Sequence, residues 1–188
     1  MQNLNPTLWR TCRMLAGTTR IRLIRAIHEH PGQSVRQLAD LAGIGLSDAS
    51  QELRRIQSRG LLRSSRNGVC LIYRMEPDPQ VASAAPLLKA LKTALSTLPA
   101  EQDADICRIA FGPAYPRRIA LLQVLAAIPK SGLALSRELQ WSTFATYSHL
   151  QILHECGWIQ RVNRQWMISP PDHPLASALA RLLKSTPA

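Results

Sequence analysis

The feature of this sequence that most limits its possible folds is an internal duplication. Residues 38–63 align with residues 135–160 without a gap, at a constant offset of 97 positions. Upstream of these blocks, CRMLAG and RIRLIRAI match CRIAFG and RIALLQVL in the same order. A chain that repeats one order of parts is expected to fold as two similar units. The sequence therefore predicts two domains, 1–97 and 98–188.

Each unit has the same predicted order of helices, because apolar residues recur at helical spacing and Pro or Gly interrupts the runs. The second helix of each unit is expected to end at a Pro- and Gly-containing segment, HPGQS in the first unit and PKSG in the second. In the first unit, a glycine-containing turn, LAGIG, leads from the third helix into the fourth. Ser47 and Ser142 are the expected N-caps of the fourth helices. The predicted helices cover about residues 8–16, 34–42 and 47–59 in the first unit, and 103–111 and 133–140 in the second.

A β-hairpin and a leucine-rich helix are predicted to complete each unit. The stretch LLRSSRNGVCLIYRM is expected to form two strands around Asn67-Gly68, a strong hairpin signal, and the second hairpin is expected to turn near Asn163-Arg164. The last helices carry a leucine stripe that either packs within its own unit or pairs with the other unit. With only two Phe and three Tyr but abundant Leu and Ala, the expected fold class is mainly α with small β-hairpin wings.

The order of helices, turn and hairpin resembles a known family of regulators. One stretch of the first unit resembles the DNA-binding core of ArsR-type winged helix-turn-helix repressors: TRIRLIRAIHEHPGQSVRQLADLAGIGLSDASQELRRIQSRGLL. A stretch of the second unit fits the same pattern: LSRELQWSTFATYSHLQILHECGWI. The resemblance implies a homodimer whose terminal helices pair and whose recognition helices enter adjacent major grooves. This chain is expected to be such a dimer fused into one polypeptide, with its two domains related by pseudo-two-fold symmetry.

The exposed face of each fourth helix and the adjacent hairpin are the expected DNA contacts. Ala49, Leu53 and Ile56 should face the core, so the remaining side chains are free to bond bases or phosphates. A solvated basic face is the alternative. The candidates in the first unit are Ser47, Ser50, Gln51, Arg54, Arg55, Arg63, Arg66 and Asn67. The candidates in the second unit are Thr143, Tyr147, Ser148, Gln151, Arg161 and Arg164.

The charge is unequally divided between the units. The chain carries a net charge of +11, of which residues 1–97 hold +8 and residues 98–188 hold +3. Such an excess indicates a polyanionic partner, and double-stranded DNA is the expected one, although RNA stays open. The second unit either reads a different half-site or mainly completes the pseudo-dimer.

Other functions find little support in the sequence. There is no phosphate-binding loop, nucleophile motif or carboxylate pair, so no enzyme activity and no cofactor are expected. His28 and His30, or His149 and His154, are poorly spaced to share a metal ion, and no CxxC occurs. Cys12 and Cys107 occupy matching positions; they are either buried apolar residues or a redox pair. No signal sequence or membrane span is apparent, so a cytoplasmic protein is expected.

The sequence thus predicts a DNA-binding transcriptional regulator, a repressor that blocks promoter access. It is expected to act as a monomer shaped like a two-headed dimer, with further self-association possible. The rival hypothesis is a protein–protein adaptor built from tandem winged helices, which would not need an arginine-rich fourth helix. No sequence feature identifies a small-molecule effector.

Overall fold

The computed structural model describes residues 7–185. The first half contains α1 (Leu8–Leu15), α2 (Thr18–Glu29), α3 (Val35–Ala42), α4 (Leu46–Gln57), β1 (Arg63–Asn67), β2 (Cys70–Arg74) and α5 (Ala84–Thr97). After a 3-10 turn at Ala100–Gln102, the second half contains α6 (Asp103–Phe111), α7 (Pro116–Ala127), α8 (Gly132–Glu138), α9 (Thr143–Glu155), β3 (Ile159–Val162), β4 (Gln165–Ile168) and α10 (Pro174–Ser185). The prediction of a mainly helical chain with two small antiparallel hairpins is confirmed.

The turn between α3 and α4 is defined by a cap at each end of α3. The Ser34 hydroxyl accepts from the backbone N–H of Gln37, whose side chain bonds back to Ser34 in a capping box. Gly43 then ends α3 in the left-handed conformation, with φ of 63°, which costs glycine little because it has no Cβ. α4 follows after two residues, so the two helices form a tight pair.

One of the two predicted caps is wrong. α4 begins at Leu46 with Gly45 in the N-cap position, so Ser47 lies inside the first turn and caps nothing. The reason is that LAGIG already supplies an extended glycine immediately before the helix. The prediction for Ser142 is confirmed, because its hydroxyl accepts from the backbone N–H of Ala145 at the start of α9.

Both hairpins close by two-residue turns. Asn67 pairs with Cys70 across the first hairpin, so Gly68 and Val69 form its turn. The predicted turn at Asn67-Gly68 is therefore wrong by one residue, because Asn67 is the last paired residue of β1. In the second hairpin, Asn163 and Arg164 form the turn with φ of 48° and 65°, the backbone that a type I′ turn requires. A residue before α3 and one before α8 add a single bridge to each hairpin, Ser34 to Ile72 and Lys130 to Trp166.

The hydrophobic core extends across both halves of the chain. α1 packs against α6, and α5 packs against α10, so equivalent helices of the two halves meet. The leucine stripe on the last helices is buried, with Leu87, Leu91, Leu175 and Leu179 fully inaccessible. The expected contact between the two last helices is therefore present. The predicted domain boundary at residue 97 coincides with the end of α5.

Arg25 on α2 contacts both ends of the segment that connects the two halves. Its guanidinium donates to both carboxylate oxygens of Asp103, at 2.8 and 2.7 Å. It also donates to the backbone carbonyls of Leu95 and Leu98, which end α5, at 3.3 and 3.1 Å. An ion pair with Glu29 on the same helix completes the set. One side chain on α2 thus holds the end of α5 and the start of α6.

Across the residues that the structure describes, no helix is both long and apolar enough to cross a lipid bilayer.

Candidate nucleic-acid interface

Helix α4 separates a buried face from a polar one, as its sequence predicts. Ala49, Leu53 and Ile56 are completely buried. Their burial directs the opposite face to solvent, where most of the predicted contact residues are found. The exposed side chains on this face include Ser47, Gln51, Arg54 and Arg55.

Two of the predicted side chains on α4 already have partners within the protein. The Ser50 hydroxyl donates to the backbone carbonyl of Leu46 at 2.9 Å, so its proton is engaged inside the helix. Arg55 forms an ion pair with Glu52, the one acidic residue near the middle of α4. Because the Arg55 side chain is 59% exposed, water screens this pair strongly. A phosphate could therefore compete with Glu52 for Arg55. The Ser50 hydroxyl has no free proton to donate to a phosphate or a base.

Side-chain contacts hold the first hairpin against the end of α4. The Gln57 amide donates to the Ser64 hydroxyl of β1 at 3.0 Å. Arg54 lies close to Tyr73 on β2: burial raises the pKa of Tyr73, and the nearby guanidinium opposes that rise. These contacts place the predicted residues of α4 and of the hairpin on one continuous part of the molecule.

The hairpin carries a third arginine that the sequence reasoning missed. Arg63 and Arg66 are exposed on β1, as predicted, and Asn67 is exposed at its end. Arg74 on β2 is also exposed and lies directly opposite Arg63. Like charges in opposite positions of a hairpin destabilise it unless an anion is close by. The alternation of side chains along LIYR could have revealed Arg74.

Six of the fourteen basic residues of the first half lie in one run of the sequence that has no acidic residue. Between Leu53 and Met75 there are six arginines and no acidic residue. The run spans the end of α4 and the whole hairpin. The matching run from Leu150 to Ile168 has only two arginines, and it contains Glu155. The asymmetry in net charge is therefore concentrated in the elements that were predicted to contact DNA.

The second half presents a different surface on α9. Thr143 is exposed beside the Ser142 cap. The ring of Tyr147 lies over the start of α8, where a Cβ on Gly132 would be 2.5 Å from Tyr147 Cζ. Gly132 therefore leaves the space that this ring occupies. Tyr147 remains 37% exposed, so part of the ring faces solvent from a fixed position.

Three of the four remaining predicted residues of the second half contact other groups of the protein. The Ser148 hydroxyl donates to the Phe144 carbonyl at 2.9 Å, and the Gln151 amide donates to the Glu155 carboxylate at 2.9 Å. Arg161 lies over the Trp166 ring, 5.7 Å from its centroid. Arg164 is exposed in the turn. Of these four side chains, the two arginines are the better placed to meet a phosphate.

The most exposed large apolar side chain of α9 is Phe144, at 83%. Its counterpart in the first half is Ser47, in the first turn of α4. Exposing a phenyl ring on the surface of a helix has no stabilising effect on the isolated chain. Phe144 is therefore a candidate contact residue, and its alignment with the exposed Ser47 was the signal in the sequence.

The redox hypothesis for Cys12 and Cys107 is not supported. Both residues are buried and carry free thiols. Burial raises the pKa of Cys107 to about 11 and that of Cys12 further still. A redox switch needs an accessible thiolate, and neither residue supplies one. The reading of both as small buried apolar residues agrees with their environment.

Within residues 7–185, no group of three or more His, Cys, Asp and Glu side chains is arranged to hold a metal ion. Comparisons of the chain with protein-family models, with curated proteins and with solved structures give no match.

Proposed function

We propose that this protein is a sequence-specific, DNA-binding transcriptional regulator that acts as a repressor. In this proposal its halves are two winged helix-turn-helix heads of the ArsR type, related by a pseudo-two-fold axis. The observation that supports it best is the run of six arginines without an acidic residue across the end of α4 and its hairpin. Such a surface suits a polyanion with regularly spaced phosphates.

The first head would bind with α4 in the major groove and its hairpin along the backbone. Gln51 and Arg54 are exposed on α4 and can bond base edges, since Gln suits adenine and Arg suits guanine. Arg63, Arg66 and Arg74 would contact phosphates. An approaching phosphate would also relieve the repulsion between Arg63 and Arg74 on opposite strands.

The second head would supply selectivity more than affinity. Its α9 offers Thr143, Phe144 and Tyr147, which can contact bases but cannot neutralise phosphates. Arg161 and Arg164 give its hairpin fewer charges than the first. We therefore expect an asymmetric binding mode in which the first head contributes most of the salt-dependent affinity.

An adaptor that binds another protein is the second candidate, and the exposed Phe144 favours it. An exposed aromatic side chain is typical of the centre of a protein interface. The arginine run counts against this candidate, because charged residues are depleted at the core of such interfaces.

A salt titration tests the proposal. Binding of the full chain to a duplex selected from genomic DNA is measured between about 50 and 200 mM salt. Each phosphate contact contributes about −0.9 to the log–log slope, so the double variant Arg54→Ala/Arg66→Ala should flatten the slope by up to roughly two units. Tyr147→Ala should instead change the preference among duplexes, by about 1–3 kcal/mol for a lost base contact.

The matched control removes two exposed arginines that lie elsewhere, on α1 and α10. Arg13→Ala/Arg181→Ala has the same net charge as the test variant, so it corrects for the general loss of charge. Equal slopes for the two double variants would show that α4 and its hairpin are not the DNA-binding surface. Absence of duplex binding by the unmodified chain would leave the adaptor as the better proposal.

A further inference from the structure

The second half contains a buried arginine that has no carboxylate partner among the described residues. Arg118 on α7 is only 5% exposed, and its Nε has no hydrogen-bond partner. Its guanidinium lies 4.7 Å from the centroid of the Phe111 ring. An aromatic face attracts a cation, but it does not cancel the charge. Removing an unpaired cation from water is strongly unfavourable, so a buried arginine is normally paired.

The equivalent arginine of the first half is paired. Arg20 on α2 aligns with Arg118, and its Nε lies 3.2 Å from a carboxylate oxygen of Glu52 on α4. The contact is an ion pair without hydrogen-bond geometry, so the difference between the two arginines is the nearby carboxylate. This ion pair joins the second helix of that half to the fourth. In the second half, the position of Glu52 is taken by His149 on α9. The second half thus has the arginine of the first half but not the carboxylate that pairs with it.

His149 does not replace the missing negative charge. Its ring stacks on Tyr115 at a centroid distance of 5.3 Å and meets the edge of Trp141 at 6.3 Å. Burial lowers the pKa of His149, and the charges of Arg118 and Arg117 lower it further, so this environment favours the neutral ring. Its Nδ1 is buried without a hydrogen-bond partner. Arg118 Nε and His149 Nδ1 are thus both buried without a hydrogen bond, on side chains close enough for the charge of one to affect the pKa of the other.

We propose that the second half binds a small anion, a halide or a compact carboxylate, between Arg118 and His149. The anion takes the place that the Glu52 carboxylate has beside Arg20. Arg118 Nε donates to it, and His149 Nδ1 donates in the tautomer that carries a proton on that nitrogen. Tyr115 is 44% exposed and His149 is partly exposed, so the site is open to solvent on that side. The bound anion would link α7 to α9 as the Arg20–Glu52 pair links α2 to α4.

A reciprocal exchange of the two aligned residues tests this site. Thermal unfolding of the full chain is followed at constant ionic strength, while sodium gluconate, whose anion is bulky, is replaced by sodium chloride or sodium formate. The unmodified chain should show a saturating rise in Tm, of roughly 5 °C when the anion exceeds its Kd a hundredfold. His149→Glu supplies the carboxylate within the chain, so its Tm in gluconate should be higher and its response to chloride and formate should disappear.

The converse variant, Glu52→His, removes the carboxylate beside Arg20. It should melt lower in gluconate and gain a second saturable response to the same anions. The chain carries a net charge of +11, so weak binding of anions to its surface is expected in every variant. An equal response of the unmodified chain and of His149→Glu would assign the whole effect to that surface binding and overturn the proposal.

A further variant keeps the test decisive if His149→Glu does not fold. Arg118→Met keeps a long apolar side chain and removes the buried cation. It should lose the saturable anion response and differ little between gluconate and chloride. Retention of the full response in Arg118→Met would also overturn the proposal. None of these measurements includes DNA, so their outcome is independent of the proposed function.

Discussion

At the scale of single residues, the two halves differ where Phe144 on α9 takes the position of Ser47 on α4. The phenyl ring is 83% exposed on the first turn of α9, beside the Ser142 cap. An apolar ring in the major groove can contact the C5-methyl group of thymine. Such a contact would explain why a largely exposed phenyl ring is present on this helix.

We expect that replacing thymine by uracil in the half-site bound by the second head weakens binding of the unmodified chain. Loss of one buried methyl group corresponds to about 0.8 kcal/mol, or roughly fourfold in affinity. Phe144→Ala should bind thymine and uracil duplexes equally, as measured by fluorescence anisotropy. A uracil effect that persists in Phe144→Ala would assign the methyl contact to another residue. Substitution in the other half-site is the control.

At the scale of elements, the close approach of Trp158 to Gly112 fixes the start of β3 against the end of α6. Trp158 is fully buried, and its indole N–H donates to the carbonyl of Ile109 at 2.8 Å. A Cβ on residue 112 would lie 2.2 Å from Trp158 Cδ1, so any side chain there displaces the indole.

Gly112→Ala should therefore lower the free energy of unfolding, by about 1–3 kcal/mol, the usual range for overpacking a core. Urea denaturation measures the change. The control is a double-mutant cycle with Trp158→Leu, which removes the collision. In the Trp158→Leu background, Gly112→Ala should lower the free energy of unfolding by clearly less than it does in the unmodified chain. Additive effects of the two substitutions would mean that the glycine is needed for another reason.

The sequence predicted the elements better than their contacts. The spacing of Leu150 and Leu153, matched to the first half, was enough to place α9, because helical periodicity is a local property. Arg74 and Arg25 were missed. The partner of Arg25 on α6 is 78 residues away in the chain, and no local pattern reports a contact of that range.

Local rules also failed where two of them competed. Ser47 is a good N-cap residue, but Gly45 already had the extended backbone that the cap position needs. The exposed arginines of the candidate site were predictable because the buried face of α4 fixes the opposite one. Two contacts on α4 depend on side-chain conformations, which helical periodicity does not determine. They are the ion pair of Arg55 with Glu52 and the hydrogen bond from the Ser50 hydroxyl to the Leu46 carbonyl.

At the scale of the whole molecule, Arg25 is the side chain that joins the halves most directly. Its side chain is 9% exposed and that of Asp103 is 15% exposed. Arg25→Gln would leave the Asp103 carboxylate without its cation, so we expect the free energy of unfolding to fall by about 3–5 kcal/mol. Chemical denaturation measures the loss. Arg55→Ala, which breaks an ion pair at the surface, should change it by less than about 1 kcal/mol.

The double variant Arg25→Leu/Asp103→Leu separates pairing from the cost of an uncompensated charge. Because it removes both charges together, it should be more stable than Arg25→Gln alone. Should the double variant be the less stable one, the bonds from Arg25 to the end of α5 would be the more important contribution.

Equivalent helices of the two halves meet inside one polypeptide, α1 with α6 and α5 with α10. In a dimer of identical chains, every substitution appears on both sides of the axis, and the sequence that the dimer reads is a palindrome. Here Arg25 faces the end of α5, while Gln123, at the matching position, donates to the carbonyl of Leu183 near the end of α10. Each half can change without its counterpart, so the proposed function does not require the bound duplex to be a palindrome.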